Sequence, residues 1–130
     1  MSFKKDYSFG LGKENEILPI ITTFFDRDIK KSKNNFDKYD FEDDKYKYEL
    51  KSRNNEYNKY PTTIICNDKV ITDKLIFLFN FTDGLYYIKY SKSKFDNFEK
   101  KLFVRNKRQD YNDLEKMYIY IPIEKLKKIN

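Results

Sequence analysis

Residues 74–90 read K-L-I-F-L-F-N-F-T-D-G-L-Y-Y-I-K-Y, and this stretch decides the fold. Two runs rich in aromatic and aliphatic side chains flank Asp83-Gly84, a dipeptide that favours a tight turn between antiparallel strands. From Leu75 to Phe79 the first run is apolar at odd and even positions alike, which is typical of a central strand covered on both faces. The stretch therefore predicts a β-hairpin whose first strand lies inside a sheet.

A second pair of strands is predicted upstream, at 36–41 (F-D-K-Y-D-F) and 45–52 (K-Y-K-Y-E-L-K-S). Both runs alternate, and the acidic run E-D-D between them, at 42–44, is expected to be a solvated turn. Because side chains alternate between the two faces of a strand, Glu49 and Lys51 share one face and the tyrosines share the other. The pattern predicts a hairpin that can pack its tyrosine face on a helix and present Glu49 beside Lys51.

The remaining elements are predicted from periodicity and turn signals. A helix is expected at about 13–25, where the apolar residues of E-N-E-I-L-P-I-I-T-T-F-F have helical spacing, and Pro19 must either delay its start or bend it. The other predicted elements are a strand at 62–66, a short helix within 91–101, a strand at 117–122 and a closing amphipathic helix at 123–129. This order predicts an α/β (α+β) protein, one domain over 1–130, with a single mixed β-sheet flanked by helices.

Composition and charge narrow the classes of function. With 12 Tyr and 12 Phe among 130 residues, the chain is richer in aromatic side chains than disordered chains are, so it is expected to fold. It has no histidine and one cysteine, Cys66, which excludes histidine-activated nucleophiles, disulfide frameworks and thiolate zinc sites. The net charge of +6 favours an anionic partner, usually a nucleic acid. No apolar run approaches a membrane span and no signal core follows the N-terminus, so an intracellular protein with no membrane partner is expected.

Four acid-x-Lys triplets occur in the chain, and the charge content alone predicts roughly four. Only Glu49-Leu50-Lys51 ends a clearly alternating strand. A tight turn at 42–45 would bring Asp40, on the preceding strand, close to Glu49, so that two carboxylates and one lysine converge. The cluster could be half of a metal-dependent phosphodiesterase site, or Glu49 and Lys51 could form a surface ion pair.

A third acid is expected on the core face of the N-terminal helix. At 100° per residue, Glu14 lies about 40° from the centre of the apolar face and Glu16 lies about 120° from it. An acid on a core face is costly unless it is paired or bound to a metal, which favours Glu14 as the functional residue. A bend at Pro19 would rotate the first turn, so Glu16 remains the substitute.

The order of helix acid, strand aspartate and strand Glu-x-Lys resembles the catalytic core of the restriction-endonuclease-like nucleases, the PD-(D/E)xK superfamily. Asp40 matches the first acid, and Glu49-x-Lys51 matches the second acid and the lysine. The surrounding residues, Y-D-F at 39–41 and Y-E-L-K-S-R at 48–53, are similar to members that read yDf…vElKsR. No proline precedes Asp40, which departs from the motif that gives the superfamily its name.

The resemblance extends beyond these two strands. Gly10 to Glu14 matches a G-x-x-x-E pattern on the family's N-terminal helix, and the helix-strand-strand order fits over roughly 10–90. From T-D-G-L-Y-Y to Y-I-Y-I-P, the chain resembles small proteins of large DNA viruses. The resemblance implies that the mixed sheet and its helices form a restriction-endonuclease-like core.

The activity implied by the resemblance is hydrolysis of DNA phosphodiester bonds with Mg²⁺, or alternatively Mn²⁺, as cofactor, and RNA is not excluded as a substrate. Asp40 and Glu49 would hold the ion together with the carbonyl of Leu50. Lys51 would orient or deprotonate the attacking water and contact the phosphate, and Glu14 would tune or complete the metal shell. This chemistry needs no histidine, in agreement with the composition.

Basic and polar residues outside the cluster are candidate contacts to the DNA backbone, which would carry no sequence specificity. They are Ser52 and Arg53 directly beyond Lys51, Lys59 and Lys69 in loops near the same end of the sheet, and Arg105, Lys107 and Arg108 in a second basic patch. Each of them could instead be a solvated charge. A homodimer would be favoured if both strands of a duplex are cut, since small nucleases that do so often act as two copies.

Two other functions fit the same composition. A non-catalytic nucleic-acid-binding module on the same fold would bind through its basic loops, and its affinity would fall steeply with salt. A structural or protein-interaction domain would pair its tyrosine-rich strands with the edge of a partner. The convergence of Asp40, Glu49 and Lys51 in space is the feature that separates the nuclease from these two.

Overall fold

The computed structural model describes residues 3–32, 39–70, 72–103 and 116–130, without the side chains of 3–12 and 103. Within these ranges the helices are α1 (Phe3–Phe25) and α2 (Lys92–Phe95), and 3₁₀ turns lie at Asn67–Lys69 and Ile123–Lys125. The strands are β1 (Lys30–Lys31), β2 (Phe41–Glu42), β3 (Lys47–Ser52), β4 (Thr62–Cys66), β5 (Leu75–Phe81), β6 (Gly84–Lys89), β7 (Glu99–Phe103), β8 (Lys116–Pro122) and β9 (Lys127–Lys128). None of the helices in these ranges is both long and apolar enough to cross a membrane.

The strands form one large mixed sheet and one small antiparallel sheet. The large sheet has the order β1-β2-β3-β5-β6-β9, in which β3 and β5 run parallel and every other neighbouring pair is antiparallel. The small sheet has the order β4-β8-β7. The predicted α/β (α+β) class, a mixed sheet with helices, is confirmed, and the small sheet is an addition to the single sheet that the sequence predicts.

Strand β5 lies between two hydrophobic cores, one on each of its faces. Leu78 shares a core with Ile21 of α1, and Phe77 shares the other core with Ile65 and Ile119 of the small sheet. All five side chains are almost completely withdrawn from water, and burial of each contributes about 1.5–3 kcal/mol. The layers are therefore α1, the large sheet and the small sheet, and the predicted central strand is confirmed.

The hairpin predicted at 74–90 is confirmed as β5 and β6, which pair in register as far as Phe81 and Gly84. Gly84 begins β6, where a Cβ would lie 3.0 Å from the carbonyl oxygen of Asn130. A glycine at this position therefore lets the C-terminal residue approach the hairpin closely.

Helix α1 begins well before the predicted start and contains Pro19 within its length. It ends in a Schellman motif, in which the backbone N–H of Asp26 donates to the carbonyl of Thr23 and that of Arg27 donates to the carbonyl of Thr22. Asp26 has a φ of 53°, a left-handed conformation that Asp adopts more readily than most residues. The motif ends the helix sharply, and the Arg27 side chain then reaches the turn between β2 and β3.

The closing helix predicted at 123–129 is wrong. The segment forms a 3₁₀ turn and then β9, which pairs with β6 at Tyr86 and Lys128. The backbone N–H of Leu85 also donates to the carbonyl of Asn130 at 2.8 Å. A helix this short is marginal in isolation, whereas the edge of β6 offers backbone hydrogen bonds to an extended chain.

The boundaries of two other predicted elements differ from the structure. The helix predicted within 91–101 is limited to the single turn of α2, because the chain then enters β7 and pairs with β8. Its Phe95 and Phe98 side chains are buried. The strand predicted at 36–41 is represented by β2, which begins at Phe41, and residues 33–38 lie outside the described ranges.

Candidate active site

Asp40 lies at the point where β2 stops covering the edge of β3. Phe41 pairs with Tyr48, and the backbone N–H of Asp40 donates to the carbonyl of Tyr48 at 3.0 Å. On the same edge of β3, the backbone N–H of Leu50 donates to a side chain instead of a backbone carbonyl. Its acceptor is Oδ2 of the Asp40 carboxylate, at 2.7 Å. This anchors the carboxylate at the sheet edge, opposite Glu49 in the register of the hairpin.

The carbonyl of Leu50 faces the same edge. The odd-numbered residues of β3 bond toward β5, as shown by Lys47, whose N–H donates to the carbonyl of Lys74, and by Arg53, whose N–H donates to that of Asn80. Because the N–H and C=O of one strand residue point the same way and alternate along the strand, the polar groups of Leu50 face Asp40. The predicted backbone ligand is thus on the same side as the predicted aspartate.

Glu49 is buried, with 5% of the residue exposed, on the opposite face of β3 from α1. Its Oε1 atom lies 3.4 Å from Nζ of Lys51 and 3.6 Å from Nζ of Lys69. Its Oε2 atom is fully buried and has no hydrogen-bond partner among the described residues. An unsatisfied buried carboxylate oxygen costs about 1–3 kcal/mol or more, so a partner for Oε2 would stabilise the folded protein.

The charge state of Glu49 reflects this incomplete solvation. Burial, followed by the negative charge of Asp40, raises the pKa of Glu49 to about 7, against the opposing charges of Lys51 and Lys69. A carboxyl group whose pKa lies near neutrality can gain or lose its proton under ordinary conditions. A cation at Oε2 would favour the ionised form, since an opposite charge stabilises a carboxylate.

Glu14 reaches the same cluster from α1. Burial raises the pKa of Glu14, a hydrogen bond with Asp40 and the charge of Asp40 raise it further, and the charge of Lys31 acts in the opposite direction. Two carboxyl groups can share a hydrogen bond only if one of them keeps its proton. Glu16, the substitute from the helical wheel, is exposed and lies 4.0 Å from Nζ of Lys13. The structure therefore joins Glu14, and not Glu16, to Asp40.

The donor set suits a hard divalent cation. Within the described ranges, no three or more His, Cys, Asp or Glu side chains form a ready-made metal cage. Mg²⁺ does not require one, since it usually keeps several waters and is bound by one or two carboxylates. Asp40, the Leu50 carbonyl and Oε2 of Glu49 are oxygen donors of the kind that such a site uses.

Arg53, a predicted backbone contact, is engaged within the fold. Its Nε donates to Oγ1 of Thr63 at 3.1 Å and its Nη2 donates to the carbonyl of Ile64 at 2.6 Å. The guanidinium also lies 5.7 Å from the centre of the Phe79 ring. Arg53 thus links β3 to β4 and joins the two sheets, and a contact with DNA remains a prediction, as it does for the exposed Ser52.

The other predicted DNA contacts are dispersed. Lys59 is exposed, with Nζ 5.6 Å from the centre of the Tyr60 ring. Arg105, Lys107 and Arg108 lie outside the described ranges. Among the members of this set that the structure describes, Lys69 lies beside the carboxylate cluster.

Two features of the region were missed by sequence reasoning. The phenol of Tyr39, next to Asp40, donates a hydrogen bond to the carbonyl of Lys69 at 2.9 Å. Asp43 is not the solvated turn residue that the acidic run indicates, because its side chain is 1% exposed and is bound by Arg27 and Tyr48. The Tyr39–Lys69 and Arg27–Asp43 contacts have no local sequence signal, since their partners are 30 and 16 residues apart.

Comparison with known proteins gives one result. No curated protein and no solved structure matches the chain. A family model described as phage putative PDDEXK endonuclease matches residues 10–129. The matched range covers almost the whole chain and includes Glu14, Asp40, Glu49 and Lys51. Because the match extends over far more than half of the sequence, the chain belongs to the phage putative PDDEXK endonuclease family.

Proposed function

We propose that the protein is a Mg²⁺-dependent nuclease that hydrolyses phosphodiester bonds of DNA. The observation that carries the proposal is the Glu49 carboxylate, which is buried near Asp40 with two lysines close to Oε1 and, in the described part of the chain, no hydrogen-bond partner for Oε2. The net charge of +6 supports an anionic substrate.

Asp40, Glu49 and the Leu50 carbonyl would hold the metal. When bound, such an ion neutralises charge on the phosphate and lowers the pKa of a coordinated water. The hydrogen bond from Leu50 to Oδ2 fixes the Asp40 carboxylate at the sheet edge. Glu14 approaches the same carboxylate from α1 and forms a hydrogen bond with it. The first acid is therefore oriented before any substrate arrives.

Lys51 acts on the attacking water and the phosphate. It lies on the same strand face as Glu49, with its ammonium beside Oε1, and 29% of its side chain remains exposed. A lysine ammonium has three donor hydrogens, so it can bond to Glu49 and still donate to a water or to a phosphate oxygen. Lys51 thereby positions the water next to the carboxylate cluster.

The first test is cleavage of plasmid, single-stranded and branched DNA with and without Mg²⁺ or Mn²⁺. The wild-type protein is expected to cut at least one substrate only in the presence of metal. Lys51→Ala should lower the rate at least about a hundredfold, the scale of a lost proton-transfer or water-positioning group. Lys94→Ala is the matched control, since it removes an exposed lysine of α2.

Cleavage undiminished by Lys51→Ala or Glu49→Ala would refute the proposal. Salt-sensitive DNA binding without cleavage under any condition would select the non-catalytic nucleic-acid-binding module instead. The action of two copies on duplex DNA remains a prediction, which the dependence of the rate on protein concentration would test.

A further inference from the structure

Lys69 enters the carboxylate cluster from the small sheet. It ends the 3₁₀ turn that follows β4, and its Nζ lies 3.6 Å from Oε1 of Glu49. Lys51 approaches the same oxygen atom from β3, at 3.4 Å. Two ammonium groups, one from β3 and one from the turn after β4, therefore lie near one carboxylate oxygen.

The backbone of Lys69 is tied to the segment that carries Asp40. The buried phenol of Tyr39 donates to the Lys69 carbonyl at 2.9 Å, and the backbone N–H of Val70 closes the turn on the carbonyl of Asn67 at 3.0 Å. On the other side, the hydroxyl of Ser32 donates to the carbonyl of Tyr39 at 2.6 Å. The position of Lys69 is thus coupled to that of the predicted metal ligand next to Tyr39.

The two lysine charges near Glu49 favour the binding of a second anion. Two ammonium groups on one oxygen repel each other, and the repulsion is strongest where water is scarce. Each of the lysine side chains is 29% exposed, and an ammonium group has three donor hydrogens, so its contact with Glu49 does not use all of them. A phosphate group can bridge the two lysines and relieve the repulsion, since its oxygens accept several hydrogen bonds.

We propose that Lys69 is a second phosphate-contacting lysine of the reaction centre. Lys69 contacts the phosphodiester from the turn after β4, and Lys51 contacts it from β3. The inference rests on the proposed nuclease function. The proposed role of Lys69 differs from that of a peripheral contact to the DNA backbone, such as Lys59, because Lys69 and Lys51 lie near the same oxygen of Glu49. Tyr39 is a positioning residue in this arrangement, since its phenol holds the carbonyl of Lys69.

The test combines binding and turnover. Affinity for a short DNA is measured in chelator at several salt concentrations, and kcat and KM are measured with Mg²⁺. Lys69→Ala is expected to reduce the slope of log Kd against log salt by about one, the effect of losing one phosphate contact. It should also lower kcat at least tenfold. Lys69→Arg keeps the charge and should retain the slope and most of kcat.

The controls separate a substrate contact from a structural role. Lys94→Ala removes the same charge elsewhere and should leave kcat and the slope near wild type. Tyr39→Phe should lower kcat less than Lys69→Ala does, and adding it to Lys69→Ala should lower kcat no further. Thermal unfolding of each variant identifies any loss of fold. If Lys69→Ala does not fold, the slope and kcat of Lys69→Arg are compared with those of the wild type instead.

The outcomes distinguish this inference from the function on which it rests. Absence of metal-dependent cleavage by the wild-type protein would remove both. Wild-type cleavage with an unchanged slope and kcat in Lys69→Ala would overturn the inference alone. A lower kcat with an unchanged slope would also overturn it, because Lys69 would then act only by holding Glu49.

Discussion

The side chains of two acids near the β2–β3 hairpin, Asp43 and Glu49, are only 1% and 6% exposed, but they differ in their partners. Asp43 accepts hydrogen bonds from Nε of Arg27, from the phenol of Tyr48 and from backbone N–H groups at its own turn. Glu49 has two lysine ammonium groups at 3.4 and 3.6 Å from one oxygen and no hydrogen-bond partner for the other oxygen among the described residues. The comparison teaches that the number of donors, and not burial, separates a structural acid from a reactive one.

The ionisation of the two acids follows from these partners. For Asp43, burial is the largest influence and acts to raise the pKa. Hydrogen bonds from Arg27, Tyr48 and the backbone outweigh it and lower the pKa to about 2. For Glu49, burial and the charge of Asp40 raise the pKa to about 7. Asp43 therefore remains charged across the neutral range, whereas Glu49 requires a further cation to do so.

Local structure explains why only Asp43 finds its donors. In a tight turn the N–H groups two and three residues on point back to the aspartate, and the Schellman motif of α1 brings Arg27 to the same place. In a strand, the backbone N–H groups close to a side chain already donate hydrogen bonds to the neighbouring strands of the sheet. The Glu49 side chain thus depends on groups that come from other elements, including Lys69 and a ligand.

Replacing Glu49 should have the largest effect on activity. Glu49→Gln is expected to lower the cleavage rate at least about a hundredfold, since it removes the negative charge from the proposed metal site. The same substitution should stabilise the metal-free protein at pH 8. The folded-state pKa of about 7 lies above the unfolded value of 4.5, so the ionised side chain destabilises the fold as pH rises through about 7.

The stabilisation is bounded by about 3 kcal/mol, the free-energy equivalent of that pKa difference. Urea unfolding of both proteins in chelator, at pH 5 and pH 8, measures it. The proposed difference between Glu49 and Asp43 would be wrong if wild type and Glu49→Gln had equal free energies of unfolding at pH 8. It would also be wrong if Glu49→Gln cleaved DNA at the wild-type rate.

Replacing Asp43 should have the opposite consequences. Asp43→Asn is expected to destabilise the protein by about 2 kcal/mol at pH 7, because a side-chain amide has one oxygen and cannot accept all the hydrogen bonds that the carboxylate accepts from Arg27, Tyr48 and the backbone. Cleavage by the folded protein should change less than twofold. Asp44→Asn is the matched control: Asp44 also pairs with Arg27, but its side chain is 92% exposed, so a loss below about 1 kcal/mol is expected.

Urea unfolding at pH 7 measures the difference between the two variants. Equal losses for Asp43→Asn and Asp44→Asn would show that the buried hydrogen bonds of Asp43 do not stabilise the hairpin.

A smaller effect is expected from acid. The folded-state pKa of about 2 for Asp43 lies below its ordinary value of 3.8, so its stabilisation is present above pH 4 and is lost as pH falls through 2. The difference amounts to about 2 kcal/mol. The stability gap between wild type and Asp43→Asn should therefore shrink between pH 4 and pH 2, as measured by urea unfolding. A gap that stays constant over this window would contradict the assignment.

Much of the fold followed from local pattern. The hairpin of β5 and β6, the strand β3 and the C-terminal half of α1 were predictable because alternation, helical spacing and turn residues act within a few neighbours. The approach of Asp40 to Glu49 was predictable for the same reason, since a tight turn connects their strands. The closing segment was not, because β9 forms by pairing with the distant β6.

The sequence by itself determined the class of fold, the place of Asp40, Glu49 and Lys51 on one hairpin, and the absence of histidine chemistry. The tertiary structure alone decided that Lys69 joins that cluster, that Arg53 binds the small sheet and that Asp43 is buried. The physical reason is range. Propensity and periodicity operate between near neighbours, whereas burial and the pairing of a charge depend on which distant elements the packing of two sheets and a helix brings together.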